Sequence, residues 1–200
     1  MKQLRRTMLF VPGNNPGMIK DAGIYGQDSI MFDLEDSVSL TEKDAARFLV
    51  YQALCSMAYR GKELVVRVND PATKCGVDDL EAIVRTQKAV IRLPKTESAE
   101  DVLYCQEIIA RIERENGIAE GSTRMMAAIE SAAGVLNAKE IAFSTPRLIG
   151  IALSGGDYTK DLQTHITGTG IELMGARQNM IIAARAAGVQ CFDTVYTNLD

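Results

Sequence analysis

A single histidine, His165, occurs in the 200 residues of this chain. A zinc site built from three histidines of its own is therefore excluded. Its four cysteines, Cys55, Cys75, Cys105 and Cys191, form no C-x-x-C pair and read as free thiols of a cytoplasmic protein. Positive charge is not in excess: the formal net charge is −4, so there is no electrostatic footprint for nucleic acid or an anionic membrane surface. No apolar run is long enough to span a bilayer, and the run before Pro12 is too short for a signal peptide. Neither G-x-G-x-x-G nor G-x-x-x-x-G-K occurs, which removes the two commonest phosphate-cradling loops.

What is present suits one globular domain over 1–200, with 46% hydrophobic and 24% charged residues, enough to bury a core unaided. Seven short apolar runs recur: "TMLFV" (7–11), "SIMFDL" (29–34), "ELVVRV" (63–68), "AVIRL" (89–93), "RMMAAI" (124–129), "RLIGIAL" (147–153) and "VQCFDTV" (189–195). Their near-continuous hydrophobicity predicts strands buried on both faces. Helix signals lie between them. Ser39-Leu40-Thr41-Glu42 and Ser98 with Asp101 read as capping boxes, and a last helix over about 171–187 stops at Gly188. Such alternation predicts an α/β fold with a parallel sheet. Functional groups then distinguish an open doubly wound sheet from a TIM (β/α)8 barrel. Glu35 and Asp36 close the second strand, Arg67 and Asn69 the third, Lys95 follows the fourth, Glu130 closes the fifth and Asp157 follows the sixth. Polar residues at the C-terminal ends of several strands favour the barrel. Seven strands against the eight that closure requires imply a barrel lacking its C-terminal strand and helices.

The stretch "MFDLEDSV" (31–38) packs three carboxylates into four positions directly after apolar residues, where each resists removal from water. A cation would relieve that repulsion. Glu130 and Asp157, at the ends of neighbouring strands, would supply two carboxylates to Mg2+, which keeps waters and takes few protein ligands. Each acid also has a plainer role. Asp36 would begin the helix that follows, and Glu35 would pair with Arg67 as a structural ion pair. His165 sits in the polar loop "KDLQTHITGTG" and is expected to be exposed. Cys105 and Cys191 read as small core residues, Met125 and Met126 as strand filler, and Glu107, Arg111, Glu113 and Glu115 as a solvated helix face.

The segments "RRTMLFVPGNNPGM", "DSIMFDLEDSV", "ELVVRVN", "VIRLPKTES", "MMAAIESAAGV", "RLIGIAL" and "DTVY" together resemble the citrate lyase β-like branch of the Mg2+-dependent acid aldolases. The resemblance runs from about Arg5 to Tyr196 and implies a TIM barrel. It implies retro-Claisen cleavage of a citryl group, carried as a thioester on an acyl carrier protein, to oxaloacetate and acetyl-carrier protein. By motif, Glu130 and Asp157 would ligate Mg2+ and Arg67 would clamp a substrate carboxylate. Glu35 and Asp36 would hold metal-bound waters or orient Arg67, while Phe10, Pro12 and Gly13 would border the substrate. Acyl-carrier (γ) and transferase (α) subunits are the implied partners. The chain departs from the family pattern at Ser154-Gly155-Gly156-Asp157, where Gly156 replaces an acid.

Two alternatives use the same residues: a malyl- or citramalyl-CoA lyase or thioesterase of the same family, and a non-catalytic subunit that only assembles with partners. An open seven-strand barrel would leave the edges of "TMLFV" and "CFDTV" unpaired, which predicts a homo-oligomer.

Overall fold

The computed structural model describes residues 4–195. The described residues fall into two compact units, one up to Arg92 together with Glu107–Arg124, the other Leu93–Gln106 together with the residues from Met125 on. In both, parallel strands lie side by side in chain order.

The first unit is built on β1 (Met8–Pro12), β2 (Ser29–Asp33), β3 (Glu63–Arg67) and all but the last residue of β4 (Val90–Leu93). Helices α1 (Pro16–Asp21), α2 (Lys43–Ser56) and α3 (Lys74–Arg85) connect them. The run "GNNPGM" starts α1 because Asn15 accepts a hydrogen bond from the Met18 N–H at 3.0 Å, while Pro16 sits where no backbone donor is needed. Thr73 caps α3 in the same way through the Gly76 N–H. Every residue of β2 is buried, and Ile30, Met31 and Phe32 are inaccessible to solvent. Each such side chain contributes roughly 1.5–3 kcal/mol. Ala46, Val50, Ala53 and Leu54 bury one stripe of α2, at the helical spacing the sequence displays.

The second unit carries β5 (Met125–Ile129), β6 (Leu148–Leu153) and β7 (Gln190–Phe192). Helix α4 (Ala99–Glu115) begins in it, and α5 (Ala132–Leu136), α6 (Ala138–Phe143), α7 (Gly155–Asp161) and α8 (Met174–Ala187) belong to it. The start of α4 is a true capping box. Ser98 Oγ accepts from the Asp101 N–H at 3.2 Å, and the Asp101 carboxylate accepts from the N–H groups of Ser98 and Glu97 at 2.9 Å. Val102, Cys105, Ile109 and Ile112 form its buried stripe. Gly188 ends α8 with φ of 74°, a left-handed conformation that glycine adopts without a Cβ clash.

Three expectations change. Ser39 makes no side-chain bond to a backbone N–H; its hydroxyl donates to Glu42 at 3.0 Å, a 3-10 turn occupies Leu40–Glu42, and α2 starts only at Lys43. Glu113 is not on a solvated face but fully buried. The turn after α4 folds over it, and its carboxylate accepts from the N–H groups of Gly121 and Thr123, each at 2.9 Å. Cys191 is half-buried, since β7 spans only three residues. Cys105 is fully buried, and burial pushes its thiol up to about 12. His165 is exposed. Among the described residues no helix is long and apolar enough to cross a membrane. Tyr196 of "DTVY" lies outside the described residues.

Candidate active site

Strand register puts Pro12, Asp33, Arg67 and Arg92 side by side on β1 to β4. Side chains at partnered positions of a parallel sheet share a face, so these four form one row at the strands' C-terminal ends. Arg67 and Asp33 dominate it. The Arg67 Nε–H donates to Asp33 Oδ1 at 2.7 Å and Nη2 donates to Oδ2 at 2.8 Å, a bidentate pair. Both side chains are almost fully buried. The same carboxylate also accepts from the backbone N–H groups of Glu35 and Ser37, each at 3.0 Å. Burial pushes the Asp33 carboxyl up, but the Arg67 hydrogen bonds and charge and the two N–H groups outweigh it and hold the group at about 2. On the arginine, burial opposes the charge, but Asp33 first, then Glu35 and Asp36, raise its pKa above the usual value.

The acid-rich stretch after β2 is thereby fixed in place. Glu35 is buried with Oε2 3.3 Å from Arg67 Nη1, whereas Asp36 is half-exposed with its carboxylate at 3.7 Å. Lys43, at the start of α2, donates through Nζ to the carbonyl oxygens of Leu34 at 2.8 Å and Glu35 at 2.5 Å. Asn69 Nδ2, two residues past β3, donates to the Leu34 carbonyl at 2.9 Å and to Asp79 Oδ2 at 2.7 Å. Asp79 is a fully buried acid on α3 that also accepts from Arg47 Nε at 2.6 Å. Burial raises its pKa, with the Asn69 and Arg47 hydrogen bonds opposing.

The three residues expected to border the substrate run from the middle of β1 to the residue just past it. The Phe10 ring lies below two cations, its centroid 5.9 Å from the Arg67 guanidinium carbon and 5.7 Å from that of Arg92. Pro12 closes the strand opposite Asp33. Gly13 donates its N–H to the Asp33 carbonyl at 2.8 Å, and a Cβ there would stand 2.7 Å from that oxygen. Only glycine permits this approach.

Glu130 and Asp157 belong to the second unit. Ile129 and Leu153 are register partners, and the Ser154 N–H donates to the Ile129 carbonyl at 2.9 Å. Glu130 therefore follows directly on one member of the last strand pair, and Asp157 stands in the first turn of α7, three residues past Ser154. Glu130 is buried, only 4% exposed. The Asp157 side chain is 31% exposed, and its Oδ1 pairs with Lys160 Nζ at 2.7 Å. Among the described residues no group of three or more His, Cys, Asp or Glu could hold a metal. Two carboxylates have the hard oxygen chemistry that suits Mg2+ and lack the thiolate or imidazole that zinc prefers.

Arg67, Glu35 and Asp36, named from the sequence, are thus brought together in the first unit. Asp33, which joins them, was missed there, though it carried a signal: it is the last residue of a strand whose neighbour ends in arginine. Asp79 gave no such signal, because one of three acids in the helical run Asp78-Asp79-Leu80-Glu81 looks solvated.

Residues 6–200 match the HpcH/HpaI aldolase/citrate lyase family. The chain is 56% identical over 199 residues to a citrate lyase subunit beta from Leuconostoc mesenteroides subsp. cremoris, covering 100% of this chain and 66% of that protein. It is 53% identical over 196 residues to the corresponding subunit from Haemophilus influenzae, covering 98% and 67%. A solved citrate lyase beta subunit from M. tuberculosis, complexed with oxaloacetate and magnesium, superposes with a TM-score of 0.76 at 26% identity, covering 96% of this chain and 79% of that one. This chain therefore spans about two thirds of the length of the curated relatives. The seven parallel strands among the described residues, with their intervening helices, are an α/β fold of the TIM-barrel type. On sequence and fold together, the chain belongs to the HpcH/HpaI aldolase/citrate lyase family.

Proposed function

We propose that this chain is a Mg2+-dependent carbon–carbon lyase that splits a citryl thioester on an acyl carrier protein into oxaloacetate and acetyl-carrier protein. The observation that carries the reading is 56% identity, along the entire chain, to a citrate lyase subunit beta. In the reaction the tertiary hydroxyl loses its proton as the adjacent carbon–carbon bond breaks. The electron pair of that bond passes to the thioester enolate, which gains a proton to become acetyl, and the hydroxyl carbon becomes the ketone of oxaloacetate.

Glu130 and Asp157 are the residues that would hold Mg2+. When bound, the ion would supply a Lewis acid that acidifies the substrate hydroxyl. Arg67 orients a substrate carboxylate through guanidinium N–H groups other than those given to Asp33. Glu35 and Asp36 steady the same guanidinium through Nη1. Phe10, Pro12 and Gly13 border the substrate. The partners are acyl-carrier and transferase subunits of a cytoplasmic lyase complex, in which the four cysteines remain free thiols. Oxaloacetate release from citryl-carrier protein, with and without Mg2+, tests the reading, and malyl-CoA and citramalyl-CoA serve as competing substrates. Faster turnover of either coenzyme A ester would overturn the choice of substrate.

A further inference from the structure

We infer that Asp33 is the positioning residue for substrate recognition: it decides which edge of the Arg67 guanidinium meets the substrate and locks the 34–38 stretch to that choice. The inference rests on the assignment of Arg67 to a substrate carboxylate.

A guanidinium offers five N–H donors along three edges. Asp33 takes the side-on edge, Nε and Nη2, at 2.7 and 2.8 Å. Glu35 and Asp36 approach Nη1 only at 3.3 and 3.7 Å, both longer than the paired bonds to Asp33. A planar carboxylate seeking two parallel hydrogen bonds is therefore received at the end-on edge, between Nη1 and Nη2. Rotation about the arginine's terminal bonds would otherwise let the fork sample several orientations, and fixing one in advance removes that entropy from binding. Asp33 suits the task because it cannot move: it closes a buried strand, and Glu35 N–H and Ser37 N–H fill its remaining acceptor positions. One carboxylate thus sets both the arginine and the loop whose acids flank it.

Proton exchange at Arg67 Nε–H, followed by 15N NMR in the wild-type chain, tests the pairing without any substitution. The signal is expected to exchange far more slowly than that of exposed Arg60. Equal rates would overturn the inference. Kinetics test the consequence. Asp33→Asn keeps the shape but sets an amide against the guanidinium, and kcat/KM for citryl-carrier protein is expected to fall about 100-fold. Calorimetric Mg2+ affinity should stay unchanged, which a general loss of structure would not allow. Because Asp33 acts through Arg67, adding Asp33→Asn to Arg67→Ala should cost nothing further. Wild-type turnover in Asp33→Asn, or a second full loss in the double variant, would overturn the positioning role. If the wild-type chain releases no oxaloacetate while its Arg67 Nε–H is protected, the proposed reaction fails and the pairing stands.

Discussion

Asp33 and Asp157 are both acids at the C-terminal end of a parallel strand or just beyond it, yet their surroundings differ in kind. Asp33 is 3% exposed and its two oxygens accept from one arginine and two backbone N–H groups. A carboxylate has about four lone-pair positions, so Asp33 has no capacity left for a cation. Asp157 is 31% exposed; its carboxylate pairs with Lys160 one helical turn away and accepts from the Ser154 hydroxyl at a long 3.5 Å. An exposed pair of that type is worth only about 0–1 kcal/mol and yields readily to a competing cation. Residue type and strand position do not distinguish an acid locked into a buried ion pair from one left partly open to solvent. The number of filled acceptor positions does.

Breaking the saturated acid should have the largest effect on stability. Asp33→Ala leaves Arg67 as a buried charge without its main partner, and urea denaturation is expected to show a loss of about 3–5 kcal/mol. Gly13→Ala presses a methyl group against the Asp33 carbonyl at 2.7 Å and should cost about 3 kcal/mol by the same measurement.

Acid should reproduce part of that loss without mutation. The folded-state pKa of Asp33 is depressed to about 2, so its contribution is present above the unfolded value and disappears as pH falls through the folded one. Stability is expected to drop by about 2 kcal/mol between about pH 4 and 2, and the slope over that window should vanish in Asp33→Asn.

The open surroundings of Asp157 predict tolerance. A Cβ at Gly156 would meet nothing within 4 Å, and the residue lies in the first turn of α7. Gly156→Glu, which restores an acid there, should raise stability by about 0.5 kcal/mol in the same urea titration. The smallest change belongs to Asp157→Asn, within about 0.5 kcal/mol of wild type, as at other exposed positions. Calorimetric Mg2+ binding should nevertheless be lost in this variant and in Glu130→Gln. Unchanged affinity in both would remove the ligand assignment and with it the contrast between the two acids.

The seven strands were legible because strands buried on both faces cannot alternate: "SIMFD", "VIRL" and "MMAAI" are apolar throughout or nearly so, and each became a strand within a residue or two of its expected ends. Ser98 and Asp101 also kept their promise, since both partners of a capping box lie within one turn. Ser39 and Glu42 have the same spacing and failed, because the chain first makes a 3-10 turn and Glu42 reaches Asn14 from β1's loop at 2.8 Å. Glu113 was misread for a related reason. It follows the helical charge pattern, but the turn that buries it comes from eight to ten residues later.

By itself the sequence determined the alternation of strands and helices, the family, and the clustering of polar residues at strand ends. These depend on local patterning and on motifs a few residues long. Only the tertiary structure decided which of those polar residues are bound to one another. Asp33 and Arg67 are 34 residues apart, and their pairing follows from parallel register rather than from spacing along the chain. Parallel strands align across intervening helices of variable length, so no local pattern encodes which strand-end residue faces which. That alignment brought the Arg67 fork onto Asp33, whereas Asp157 pairs with Lys160 of its own helix.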